Sequence, residues 1–163
     1  MVLWLSIIVL VPFDLTTIDS QRTQEILVKR IINIGLQHCV DAGKIRDGAA
    51  VLLSKLTTRP DVVKSGELDA FLEQVTLKYT AAADDAAMIY AAQGLLQTLV
   101  QVFKTGHRDD LIGRIDAVFN LVLKAEQTNK FMKKSSHLKK GRVNLAQRIG
   151  CIFLRPKLAK WRY

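Results

Sequence analysis

Met1-Val2-Leu3-Trp4-Leu5-Ser6-Ile7-Ile8-Val9-Leu10-Val11-Pro12-Phe13 decides how the rest of the chain is read, because a targeting segment and a core helix require different neighbours. A secretory leader opens on positive charge and ends at a small-residue cleavage site. Here the first basic residue is Arg22, and no Ala-x-Ala-like pair precedes Asp14. A membrane helix needs about 20 apolar residues, whereas this run meets Pro12 and then Asp14. The stretch is therefore expected to be a buried helix stopped by Pro12, whose ring removes an amide donor and pushes Val11 out of the helical region. Such a helix needs cover on nearly every side.

Downstream, apolar residues recur at helical spacing. Leu27, Ile31 and Ile34, with Val28 and Ile32 beside them, face away from Glu25, Lys29, Asn33 and Gln37. This predicts a helix over about 20–38, capped by Asp19 or Ser20 and carrying a Glu25–Lys29 pair. Asp41 is a capping candidate for the next stripe, Ile45, Ala49, Leu52, Leu53 and Leu56, which Arg59 and Pro60 stop. Further stripes run through Leu68, Phe71, Leu72, Val75 and Tyr79, and through Met88, Ala92, Leu95, Leu99 and Phe103 up to Gly106, a candidate left-handed C-cap. A fifth helix reads Leu111, Ile115, Val118 and Val122 with Asp109 and Asp110 at its positive end. A sixth reads Leu145, Ile149 and Ile152 with Ala146 and Phe153.

No segment alternates with period 2, so the fold class is all-α. Pairing helices across short connections gives units starting near Ser20, Ser65 and His107, which are 45 and 42 residues apart. That spacing suits HEAT or armadillo helix pairs, which recur about every 40–47 residues. The side chains do not repeat between units, so a helical bundle stays open on periodicity alone. One domain over 1–163 is expected, with about three helix pairs behind a leading apolar helix and a polar, Lys-rich loop over 125–136.

Composition sets bounds on function. With 49% hydrophobic residues, 3 Pro and 9 Gly, the chain is not a disordered one. Cys39 and Cys151 lack metal-ligand spacing and no Asn-x-Ser/Thr acceptor occurs, which fits a reducing, intracellular setting. Up to Glu126 there are 13 basic and 15 acidic residues; from Gln127 to Tyr163 there are 11 basic residues and no acid. The positive end would attract nucleic acid, membrane phosphate or an acidic protein, unless it is only a solvated face. Its candidate contact residues are Lys133, Lys134, Lys139, Lys140 and Arg142. Trp161 and Tyr163 could stack on bases, which makes a basic helical nucleic-acid-binding module the second reading. Two aromatics among so many charges are few for that role, so nucleic acid is not the expected partner.

Catalysis has little support. His38 and Cys39 are adjacent, so on a helix their side chains diverge by about 100°. His107 with Asp109 and Asp110 is an ordinary helix start rather than a metal cluster. Gly-rich phosphate loops, nucleophile elbows and His-Glu-x-x-His are all missing. A hydrolase built on Cys39 is the weakest reading. No enzyme, cofactor, metal or membrane insertion is expected.

Four segments stand out in order: Leu3-Trp4-Leu5-Ser6 through Ile8–Val11 to Pro12-Phe13-Asp14-Leu15; Ala49–Ser54 through Thr58-Arg59-Pro60-Asp61-Val62; Leu99–Phe103 with Lys104, Gly106, Arg108 and Asp109; and Leu145–Gly150 through Phe153–Lys157 to Trp161-Arg162-Tyr163. Together they resemble the tubulin-folding cofactor D (tubulin-specific chaperone D) family. Only the stretches around 81–90 and 125–136 depart from it. The resemblance implies an early piece of a much longer armadillo-type chaperone, with Met1 inside a helix of that longer chain. It further implies a cytoplasmic, cytoskeleton-associated protein that binds β-tubulin. Its associates would be tubulin-folding cofactors E and C and an Arf-like small GTPase, and it would serve αβ-tubulin dimer assembly or dismantling and stimulate tubulin GTP hydrolysis. No site residue carries over, because the matching segments hold no catalytic motif.

Overall fold

The computed structural model describes residues 2–15, 24–41, 43–83, 88–120 and 135–154, and among them there is no strand. The helices in chain order are α1 (Val2–Ile8), α2 (Gln24–His38), α3 (Lys44–Thr57), α4 (Pro60–Lys64), α5 (Glu67–Ala83), α6 (Ile89–Thr105) and α7 (Arg108–Leu111). A 3-10 turn (Ile112–Arg114) leads into α8 (115–120), and α9 (Ser136–Phe153) follows.

Two rows of helices explain the apolar stripes. In one row α3 packs on α1, α6 packs on α3 and α9 packs on α6. In the other, α2 covers α3 and α5 covers α6. Lys29 on α2 reaches Glu67 on α5 at 3.3 Å, and Arg114 grips Asp69 on α5 through Nε at 2.5 Å and Nη2 at 2.7 Å. Consecutive pairs therefore stack as repeat units, each burying what it cannot bury alone.

Between the rows lies one continuous core. Leu52, Leu53, Leu56, Leu68, Val75, Leu99, Leu111 and Leu145 are wholly buried, and each such side chain contributes about 1.5–3 kcal/mol over an exposed one. The helices approach most closely where side chains vanish. A Cβ on Gly94 of α6 would sit 1.9 Å from the Cys39 carbonyl oxygen, and one on Gly141 of α9 would sit 2.6 Å from Leu96.

Several expectations are corrected. Helix α1 ends at Ile8, well before Pro12, as Leu10 and Val11 donate to the carbonyls three residues back and tighten the last turn. It is not covered on every side: Val9 is buried, but Leu3, Trp4, Ile7, Leu10 and Phe13 are more than half exposed. Asp41 does not cap α3; its carboxylate meets His38 Nδ1 at 2.8 Å, and Gly43, at φ 79°, starts the helix without a side-chain cap. Pro60 does more than stop α3, because it opens α4 at a first-turn position where its missing amide costs nothing. Gly106 is extended (φ −70°, ψ 151°) rather than left-handed, and it is required by space, since a Cβ would lie 2.7 Å from Leu111. Ile45, Met88 and Phe153 are exposed, at the ends of their stripes. Ser136 opens α9 rather than closing a loop, with Ser135 as its N-cap. The caps Asp19 and Ser20, Val122 and the loop 125–134 lie outside the described residues, as does the side chain of Glu25.

The chain after α1 is held by one arginine. Arg59 donates from Nη1 to the carbonyls of Val9 at 2.5 Å and Val11 at 2.9 Å, and from Nη2 to that of Phe13 at 2.9 Å. It also pairs with both Asp61 carboxylate oxygens at 2.9 and 3.0 Å, while Asp61 Oδ2 accepts from the Leu15 amide. Burial pushes the Asp61 carboxyl up, but the Arg59 guanidinium and the Leu15 amide outweigh burial and hold it below the ordinary carboxylate range.

A candidate partner-binding face on the last helix

Helix α9 turns Leu138, Leu145, Ile149 and Ile152 inward, a stripe of helical period that leaves the lysines opposite in water. Lys139 and Lys140 are exposed on it. Arg142 is not part of that surface: it is 6% exposed, and its Nη1 is buried without a hydrogen-bond partner. Its position three and four residues from Leu138 and Leu145–Ala146 places it on the inward side, where the sequence offered only its charge as a guide. Tyr79 of α5 feels the same guanidinium. Burial pushes its phenol up to about 12, partly opposed by Arg142, and its hydroxyl also lacks a partner. Lys133, Lys134, Trp161 and Tyr163 lie outside the described residues.

Lys140 opens onto a cavity of about 370 Å³ between α6 and α9, together with Gln97, Gln101, His137 and Asn144. The sequence reading missed this groove. Its amides sit at polar positions of two helices, 43 to 51 residues apart in sequence, and only the packing of α9 on α6 brings them together.

The catalytic candidates separate. Cys39 Sγ is buried against Thr98 Oγ1 at 3.2 Å, and burial pushes its thiol up, away from the reactive thiolate. His38 turns instead to Asp41. His107 lies 4.0 Å from Asp109, with both side chains about three-quarters exposed, so nothing withdraws that pair from water. Among the described residues no three His, Cys, Asp or Glu side chains converge on a metal-sized site, and no helix is long and apolar enough to cross a membrane.

Two rows of stacked helix pairs define the chain as a helical-repeat segment of the armadillo/HEAT type. Residues 1–79 match the family described as "Tubulin-specific chaperone D-like, ARM repeat". The chain is 30% identical over 191 aligned positions to Tubulin-specific chaperone D of Dictyostelium discoideum, an alignment that covers 99% of this chain and 13% of that relative. Both likenesses point to the tubulin-specific chaperone D family. The chain spans about 13% of the length of the curated relative it matches. No solved structure matches it significantly.

Proposed function

We propose that this chain is a scaffold segment of a tubulin chaperone, acting through extended surface contacts rather than chemistry. The observation that carries the reading is the likeness to Tubulin-specific chaperone D along 99% of the chain. A repeat architecture supports it, because stacked pairs present a long surface to a large client. In this reading the partner is β-tubulin. The segment contributes, with tubulin-folding cofactors E and C and an Arf-like small GTPase, to assembly or dismantling of the αβ-tubulin dimer in the cytoplasm. Stimulation of GTP hydrolysis would act on residues that tubulin itself supplies.

The basic end offers the contact: Lys133, Lys134, Lys139 and Lys140 belong to a stretch of 11 basic residues without an acid, suited to an acidic protein surface. Arg142, being buried, is left out of it. Capture of αβ-tubulin by the immobilised chain, measured at low and physiological salt, tests the proposal. Glu at all four lysines should abolish capture at both. Equal capture by the variant and the parent would sink the basic-face assignment.

A further inference from the structure

The groove between α6 and α9 has a regular lining. Gln93, Gln97 and Gln101 follow one another at four-residue intervals along α6 and all three face it, with Asn144 and Lys140 across from them on α9. Four residues of helix rise about 6 Å, and two residues of extended chain advance about 6.6–6.8 Å. An extended peptide lying along the groove therefore meets one side-chain amide for each repeat of its own backbone. Each Gln or Asn offers one acceptor oxygen and two N–H donors, which is what a main chain presents in complement. The eight helical steps from Gln93 to Gln101 span about 12 Å, room for roughly four residues of extended chain.

The amides are available. Gln93, Gln101 and Asn144 have no side-chain hydrogen bond to another described residue. Gln97 Nε2 donates to Asp47 Oδ1 at 2.7 Å, which fixes that amide and leaves its oxygen to accept. Charge selects the occupant. Among the described residues no acidic side chain lines the groove, whereas Lys140 does. Among the described residues the acid that reaches the α6 amides is Asp47, and Gln97 engages it.

We propose that this groove binds an extended, acidic peptide segment of a partner protein, with the Gln93–Gln97–Gln101 row and Asn144 pairing with its main chain and Lys140 with its carboxylates. The inference deepens the basic-face reading, on which it rests through Lys140 alone. The probe is a fluorescein-labelled hexa-glutamate peptide, followed by anisotropy against the whole chain. A second peptide of equal charge carries N-methyl groups at alternate residues, and an oligonucleotide of equal charge serves as competitor.

The plain peptide should bind with an affinity that falls with salt. Q101A/N144A, whose positions are half-buried and exposed and so keep the fold, should weaken it by about five- to tenfold for the bonds lost. N-methylation should weaken it to a similar degree, K140E should weaken it further, and the oligonucleotide should compete poorly. Equal binding of the two peptides, or no effect of Q101A/N144A, would overturn the amide row even if K140E still weakened binding and tubulin capture still depended on the lysines. Tighter binding of the oligonucleotide than of the peptide would overturn the acidic-peptide assignment itself.

Discussion

Replacing Arg59 by Ala should detach the leading segment from the repeat stack. Arg59 satisfies three main-chain carbonyls, of Val9, Val11 and Phe13, and both oxygens of Asp61. The Arg59 and Asp61 side chains are only 12% and 8% exposed, so solvent cannot replace what is lost. Removing one partner of a buried pair costs about 3–5 kcal/mol, chiefly because the other charge stays buried alone. The three carbonyl bonds overlap with that figure rather than adding to it. For a chain of this size the loss corresponds to a drop of roughly 6–20 °C in Tm.

Local opening limits the cost, since α1 and the strand of chain after it can come away before the rest unfolds. The assay therefore pairs denaturant unfolding with amide exchange, and R59A should speed exchange in α1 far more than in α6. R59K should recover only part of the loss, because a single ammonium cannot span a carboxylate and three carbonyls. The pH dependence has a definite sign. The folded Asp61 carboxyl lies below its ordinary range, so its contribution is fully present above about pH 4 and is lost as pH falls through the folded value. The gap between parent and R59A should thus close below pH 4. An R59A chain that unfolds within about 1 kcal/mol of the parent, with α1 exchanging no faster, would refute the clamp.

Other perturbations have equally definite outcomes. Gly94→Ala places a Cβ 1.9 Å from a backbone oxygen and should cost about 3 kcal/mol or more, whereas Gly113→Ala, with nothing within 4 Å, should stabilise by about 0.4–1 kcal/mol; denaturant midpoints of the two variants compare them directly. Asp69→Asn should cost at most about 1 kcal/mol at pH 7, because the Asp69 side chain is 58% exposed. The Arg114 guanidinium holds that carboxyl below its usual range, so the loss should fade as pH drops below about 4, as a melting series would record. Arg142→Met, which removes a buried nitrogen without a partner, should stabilise by about 1–4 kcal/mol and leave tubulin capture intact. Lost capture would return Arg142 to the binding face.

The helices were legible because burial repeats along a single helix. Leu68, Phe71, Leu72, Val75 and Tyr79 need no knowledge of a partner to declare a face, and all five are buried. The unit spacing showed through for the same reason, since stacked pairs of similar length must start at similar intervals. Interruptions were harder. Pro60 carries the same signal whether it ends a helix or opens one, and Gly106 looks like a left-handed cap until Leu111 is seen against it. Charge misled at Arg142, as a one-dimensional count of basic residues cannot tell which side of α9 carries each one.

Periodicity and composition alone determined an all-helical chain with its positive charge at one end, since both are properties of residues close together in sequence, and they left a repeat stack and a bundle both open. Only the tertiary structure decided what joins those elements. Arg59 reaches carbonyls 46 to 50 residues away, and the groove of amides forms from α6 and α9, which meet only when the units stack. Contacts of that kind depend on where two helices come to lie in space, and local sequence spacing carries no record of it.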